Sequence, residues 1–205
     1  MATAIALPPI STEEPSPLVV ARENLVVLSG IEWDRYLAID KIFDGRRGIR
    51  LTYLDGDLEI MTLGYDHETI KATVRSILEN FILETGQYHR AQGSVTRRQA
   101  DTSGIEPDES YVLKRGETGP HLAIEVCITS GGIDKLEIYR RFKVPEVWIW
   151  QEGELKVFAL EAEKYERRDQ SLHLPDLDME LVEELSTWAE TSDAVAEFKK
   201  RQFGE

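Results

Sequence analysis

The sequence predicts an α/β protein with a central mixed β-sheet flanked by helices, and three observations lead to this prediction. The first is the stretch HLAIEVCIT at residues 121–129, whose hydrophobic side chains alternate as they do in a strand. The second is the segment after this strand, which has a glycine-containing break, a short helical stretch and a second strand in PEVWIW at 145–150. The third is the pair Asp55-Gly56 between two alternating runs, which is typical of a β-hairpin. Because strand, helix and strand form a β-α-β unit, we expect the strands at 121–129 and 147–150 to be parallel.

The composition limits the class of protein. A chain of 205 residues has the size of one domain and is long enough to bury a sizeable core. It contains one cysteine, so it forms no internal disulfide, and we expect it in the reducing cytoplasm. No apolar run is long enough to span a bilayer, which predicts no membrane partner. The formal net charge of −14 predicts weak nonspecific binding to DNA, because such binding depends on neutralising phosphates.

The distribution of residues divides the chain into three regions. Residues 1–22 contain four of the eight prolines and lack the pattern of a signal peptide, so we predict a flexible arm, or one that orders against a second subunit. Residues 23–175 contain the strands and helices of the main domain. Residues 176–205 have apolar residues at helical spacing, which predicts a helical extension packed on the same domain.

Periodicity and turn signals predict the remaining elements. The longest helix is expected over 66–85, with Asp66 as its cap and Gly86 as its end. The other expected elements are a helix over 29–43, a hairpin over 49–63, two short strands around Gly93, a helix over 134–142 and strands near 154–160 and 164–169.

Glu125 is a charged residue within an apolar strand. Alternation places Leu122, Ile124 and Val126 on one face and Glu125 on the other. A lone charge there is costly unless a cation, a partner or water compensates it. Lys135 falls in the first turn of the next helix, just past the end of this strand.

Asp108 is the second acid of interest. Pro107 favours an extended backbone before it, and the residues after it form a strand that can pair with 121–129. The two acids, Asp108 and Glu125, are therefore expected to meet across adjacent strands. Carboxylate oxygens at such a point suit Mg²⁺, which takes a few carboxylates and retains several waters.

These residues resemble a known pattern. Pro107-Asp108 followed by Glu125-Val126-Cys127 resembles the PD-(D/E)xK nuclease superfamily, which has the restriction-endonuclease-like fold. The continuation is similar to one branch of it, the Uma-two family of endonucleases. The matching segments are Tyr53–Asp57, His67, Asp134-Lys135, Tyr139-Arg140 and Val144–Trp148. The lysine of the superfamily would stand at position 127; in this branch it has moved to the next helix, which makes Lys135 the candidate.

The resemblance implies an endonuclease that hydrolyses DNA phosphodiester bonds with Mg²⁺ or Mn²⁺. Its implied metal ligands are Asp108, Glu125 and the main-chain carbonyl of Val126, with Lys135 at the phosphate. It also implies supporting roles for Asp57 and His67, and by analogy a homodimer. Asp57 is equally a solvated hairpin acid, with Glu59 the less favoured neighbour. From the residues alone a structural role is favoured for His67, and the resemblance makes the catalytic role equally favoured.

Two alternatives remain open from the sequence. One is a catalytically silent protein of the nuclease fold that binds nucleic acid or a protein partner. The other is an acidic interaction protein in which Asp108, Glu125 and Lys135 form a structural ion-pair network. Arg90, Arg97 and Arg98 are likewise either guides for a nucleic-acid backbone or a charged sheet edge that prevents aggregation.

Overall fold

The computed structural model describes residues 24–43, 48–129 and 132–204, and within these ranges it contains two β-sheets and five helices. The predicted arm, residues 1–22, lies outside the described residues. The elements in chain order are β1 (Asn24–Leu28), α1 (Trp33–Phe43), β2 (Ile49–Leu54), β3 (Asp57–Thr62), α2 (Tyr65–Glu84), β4 (Arg90–Ala91), β5 (Arg97–Gln99), β6 (Ser103–Ile105), β7 (Glu109–Val112), β8 (Leu122–Cys127), α3 (Lys135–Arg141), β9 (Glu146–Gln151), β10 (Glu154–Glu161), β11 (Lys164–Arg168), α4 (Met179–Ser186) and α5 (Thr191–Phe203).

The larger sheet is mixed and has the strand order β11-β10-β9-β8-β7-β4. Strands β8 and β9 are parallel and are joined by α3, with Glu125 beside Ile149. The other pairs in this sheet are antiparallel. The predicted α/β architecture, with a β-α-β unit in a mixed sheet, is therefore confirmed.

The predicted hairpin does not join this sheet but forms a second one, with the order β1-β3-β2-β6-β5. The expectation of a single central sheet was therefore incomplete. Asp55 and Gly56 have φ values of 47° and 99°, as the tight turn between β2 and β3 requires. The hairpin pairs with β1 on one side and β6 on the other, so its edges are occupied within its own sheet.

Helix α2 covers one face of the mixed sheet. Its apolar stripe packs on the alternate residues of β8 that include Ile124 and Val126, in one cluster with α4 and α5. Helix α5 lies against α2, where the hydroxyls of Thr73 and Thr191 are 2.8 Å apart. These contacts make the C-terminal helices part of the core behind β8.

The opposite face of the mixed sheet is covered by α3 and by the second sheet. Ala123 and Val147 pack there against Ile138 and Tyr139 of α3 and Ile105 of β6. Both faces of β8 are therefore buried, which explains why Glu125 is only 1% exposed. The space between the two sheets is the cleft in which the candidate site lies.

One local prediction was wrong. Helix α2 begins at Tyr65 with Gly64 as its N-cap and no side-chain cap, so Asp66 lies inside the first turn. An acidic side chain at that position interacts favourably with the helix dipole. The two short strands predicted around Gly93 are present as β4 and β5. They belong to different sheets because β4 pairs with β7 and β5 with β6.

Candidate metal and active site

Asp108 and Glu125 face each other across two neighbouring strands. Glu109 of β7 pairs with Ile124 of β8 in an antiparallel register, and one further step brings Asp108 opposite Glu125. Both residues are 1% exposed. The predicted meeting of the two acids is thus what the strand pairing produces.

Glu125 has two partners on α3. Lys135 Nζ donates a hydrogen bond to Glu125 Oε2 at 2.8 Å, and the Tyr139 hydroxyl donates to Oε1. Lys135 and Tyr139 lie four residues apart, so they share one face of the helix. The Asp134 side chain caps α3 by accepting from Glu137 N at 3.2 Å, which fixes Lys135 as the first helical residue.

Asp108 is held by partners from three elements. His67 Nε2, in the first turn of α2, lies 2.9 Å from Oδ1, and Val126 N donates to Oδ2 at 2.9 Å. Arg50 Nε of β2 lies 3.9 Å from Oδ1, and the guanidinium also contacts Glu106 at 3.2 Å. Asp108 therefore connects α2, β8 and the second sheet.

The surroundings of the two acids drive their ionisation in opposite directions. Burial disfavours the charged form of Asp108, but the hydrogen bond and charge of His67, with Lys135 and Val126 N, outweigh it and lower the pKa of Asp108. At Glu125, the effect of burial, which raises the pKa, is larger than the opposing effect of the Lys135 charge. The negative charge of Asp108 raises the pKa of Glu125 further. Two buried acids with opposed pKa shifts are typical of a functional site.

Lys135 remains an ammonium. Burial lowers the pKa of Lys135, but Cys127, Glu125 and Glu59 favour the charged form and together raise it well above the ordinary value. Lys135 lies against Glu125, and Arg50 and His67 lie against Asp108, so each of the two acids has a basic neighbour.

The available donors fit a magnesium ion. Val126 N points toward Asp108, and because the N–H and C=O of one strand residue point to the same side, the Val126 carbonyl faces that side too. Two carboxylates and one carbonyl, completed by water, match the ligand preference of Mg²⁺. No group of three or more His, Cys, Asp or Glu side chains arranged for a metal ion occurs within the described residues.

The remaining candidate from the hairpin, Asp57, is not brought into this group. It is exposed at the start of β3, next to the turn. Glu59, two residues further along the same strand, is 2% exposed and accepts a hydrogen bond from Ile133 N at 2.9 Å. The buried acid of this strand is therefore Glu59, which sequence reasoning placed below Asp57.

Two further residues of the site were not selected from the sequence. Tyr139 follows Lys135 by four residues in the predicted helix, and that spacing is the sequence signal for its contact with Glu125. Arg50 gave no signal, because its approach to Asp108 depends on how the second sheet packs against the first.

The three arginines near Gly93 do not form one basic surface. Arg98 forms an ion pair with Asp40, Arg97 donates to Gln92, and Arg90 donates to the carbonyl of Glu117. Their hydrogen bonds and ion pairs within the protein favour the interpretation of charged sheet edges.

None of the helices within the described ranges is long and apolar enough to cross a membrane.

A mixed sheet with paired strand acids and a following lysine is typical of restriction-endonuclease-like proteins. The chain belongs to the Uma2 family, described as "Putative restriction endonuclease", whose sequence profile matches residues 33–191. The predicted family is confirmed, and the match continues past the boundary predicted at residue 175. Nuclease chemistry and a nucleic-acid substrate are what this family description indicates.

One solved structure similar to this chain is described as a putative nuclease belonging to DUF820 from Anabaena variabilis ATCC 29413. The two chains are 15% identical, with 72% of this chain and 90% of that chain covered and a TM-score of 0.43. No curated protein matches the sequence.

Proposed function

We propose that this protein is a Mg²⁺-dependent endonuclease that hydrolyses DNA phosphodiester bonds by attack of water, with Mn²⁺ as a substitute ion. The observation that carries the proposal is the opposition of Asp108 and Glu125 across β7 and β8, with Lys135 Nζ 2.8 Å from Glu125. Asp108, Glu125 and the Val126 carbonyl would hold the ion. Bound there, Mg²⁺ supplies Lewis-acid activation of water and offsets negative charge on the phosphate.

The residues of the chain divide the remaining tasks. Lys135 holds Glu125 in place and donates a hydrogen bond to the phosphodiester, which stabilises the charge that develops there. His67 acts through Asp108, because its ring nitrogen fixes the orientation of that carboxylate. Tyr139 does the same for Glu125.

The test is cleavage of supercoiled plasmid and of single-stranded DNA in Mg²⁺, in Mn²⁺ and in EDTA. Asp108→Asn, Glu125→Gln and Lys135→Met are compared with Glu180→Gln, which changes an exposed acid on α4. We expect metal-dependent cleavage by the wild type and the Glu180 variant, and its loss in the other three while each remains folded by circular dichroism. Cleavage that persists in all four variants would show that the site is misassigned.

A second candidate function is a silent nuclease-fold protein that binds nucleic acid without cleaving it. It is favoured by the hydrogen bonds already made to both oxygens of Asp108 and of Glu125. Such a closed network is also what a structural ion-pair cluster would have. Mg²⁺ binding measured by calorimetry together with no cleavage of any substrate would support this second function.

The homodimer remains part of the proposal. One active site cuts one strand. Two symmetry-related subunits would place one active site at each strand of a duplex, so that both strands are cut at one position. Light scattering on the eluting protein would measure its mass. A monomer mass at every concentration would remove the homodimer from the proposal and leave the chemistry intact.

A further inference from the structure

A pocket of about 290 Å³ opens in the cleft beside Lys135. Its floor is one face of three adjacent strands of the mixed sheet. Cys127 of β8 pairs with Gln151 of β9, and Ile149 of β9 pairs with Lys156 of β10, so these side chains lie side by side. Phe158, two residues beyond Lys156, continues the same face and is half-buried.

The roof of the pocket comes from the second sheet and from α3. Glu59 and Met61 of β3 and Leu25 of β1 face the floor, and Lys135 closes the side next to Glu125. The Oε1 atom of Glu59 is buried and accepts no hydrogen bond from any described residue. The pocket therefore combines apolar walls with an unsatisfied buried acceptor, and it shares Lys135 with the metal site.

We infer that this pocket binds a nucleobase of the substrate, and that the protein acts on single-stranded or locally unpaired DNA. The inference rests on the proposed function, because that function puts a phosphodiester at Lys135 and hence a nucleotide beside the pocket. An aromatic ring and apolar side chains are the surfaces on which bases stack. The amide of Gln151 and the Oε1 atom of Glu59 are groups that hydrogen-bond to base edges.

The charge of the chain supports the same substrate class. A net charge of −14 gives little general attraction to a phosphate backbone, so affinity has to come from contacts to bases. In a duplex, each base is stacked and paired and has to leave the helix before it can enter a pocket. A single strand offers its bases without that cost.

Cys127 provides a direct measurement, because it lines the pocket and is the only cysteine of the chain. The rate at which a maleimide labels Cys127 in the full-length protein reports whether the pocket is filled. The measurement is made in EDTA, where cleavage does not interfere. The probes are a single-stranded oligonucleotide, the matched duplex, deoxynucleoside monophosphates and inorganic phosphate.

We expect labelling to slow about tenfold with the single strand at ten times its Kd, since the open fraction falls as one over one plus the ratio of concentration to Kd. A monophosphate should also protect, whereas phosphate alone and the duplex should not. Equal protection by single strand and duplex, protection by phosphate alone, or no protection by any probe would overturn the inference.

Pocket variants separate a base contact from general binding. Phe158→Ala should raise the Kd of the single strand, measured by protection of Cys127 from labelling, about tenfold, because the substitution removes the stacking surface. Leu83→Ala, an exposed apolar residue on α2 beyond the other face of the mixed sheet, should leave protection unchanged. Equal protection in the wild type and in Phe158→Ala would overturn the inference.

The outcome is independent of the cleavage assay. Protection with no cleavage on any substrate would support the base pocket and contradict the endonuclease. Cleavage with no protection would contradict the pocket alone.

Discussion

Val126 N donates a hydrogen bond to the carboxylate of Asp108 at 2.9 Å. The Asp108 side chain therefore binds the main chain of β8 at the residue that follows Glu125. The pairing of Glu109 with Ile124 brings Asp108, the next residue out, beside Glu125 at the end of β8. With the Val126 carbonyl, these two carboxylates are the three oxygen donors that we propose for Mg²⁺.

Mg²⁺ should stabilise the protein through these donors. At ten times its Kd the ion adds about 1.4 kcal/mol to the free energy of unfolding, which for a chain of this size raises Tm by about 3–6 °C. Glu125→Gln should abolish this shift, whereas Glu180→Gln should retain it. Differential scanning fluorimetry with and without EDTA makes the comparison. An equal shift in both variants would place the ion elsewhere.

Removal of Lys135 should destabilise the fold. Lys135→Met leaves Glu125 buried with a single hydrogen-bonding partner, Tyr139, and breaking such a buried pair costs about 3 kcal/mol or more. The double variant Lys135→Met/Glu125→Gln should recover part of the loss because the orphaned charge is then gone. Urea unfolding of the wild type, both single variants and the double variant measures this coupling. Strictly additive losses would mean that the two residues do not interact.

The stability of α3 should depend on pH through Glu137. Hydrogen bonds from Arg140 and Arg141 lower the pKa of Glu137 from 4.5 to about 2. A carboxyl group with a lowered pKa stabilises the folded protein at pH values above its ordinary pKa. That stabilisation is lost as the pH falls from 4.5 toward 2. Glu137→Gln should remove this part of the pH dependence. Thermal unfolding at several pH values between 5 and 2.5 checks it, and parallel curves for the two proteins would contradict the assignment.

Gly132→Ala should disrupt the loop before α3. Gly132 has a φ of 110°, and a Cβ there would overlap Oε2 of Glu59, the atom that accepts from Ile133 N. We expect a loss of about 1–3 kcal/mol in the free energy of unfolding.

Gly116→Ala is the matched control for this substitution. Gly116 also has a positive φ, 83°, but open space surrounds its Cβ position. The alanine at 132 should therefore cost more than the alanine at 116 in urea unfolding. Equal losses would mean that backbone strain alone accounts for the effect.

The sequence was sufficient for the parts of the site that depend on local patterns. The alternation of HLAIEVCIT predicted the face of Glu125, and the break after Thr129 predicted a helix over 134–142 with Lys135 in its first turn; the observed helix is Lys135–Arg141. Pro107 and the strand after it predicted that Asp108 pairs across from Glu125.

The parts that failed depend on packing between elements distant in sequence. Alternation puts Asp57, Glu59 and Met61 on one face of β3, but it does not tell which of them lies over the mixed sheet. The packing of the two sheets against each other decides it, and it buries Glu59 while Asp57 remains exposed. The approach of Arg50 to Asp108 has the same origin, since β2 and β7 belong to different sheets.

The packing of α5 on α2 has a consequence for folding. The hydroxyl contact between Thr73 and Thr191 spans 118 positions, and the core behind Glu125 includes Phe198. Closing so long a loop before its contacts stabilise it makes folding slow compared with that of a helical bundle. During synthesis, α2 and β8 leave the ribosome well before α5 is made. Until α5 arrives, their apolar faces are incompletely covered, and that interval is when the chain is most open to aggregation and to capture by chaperones.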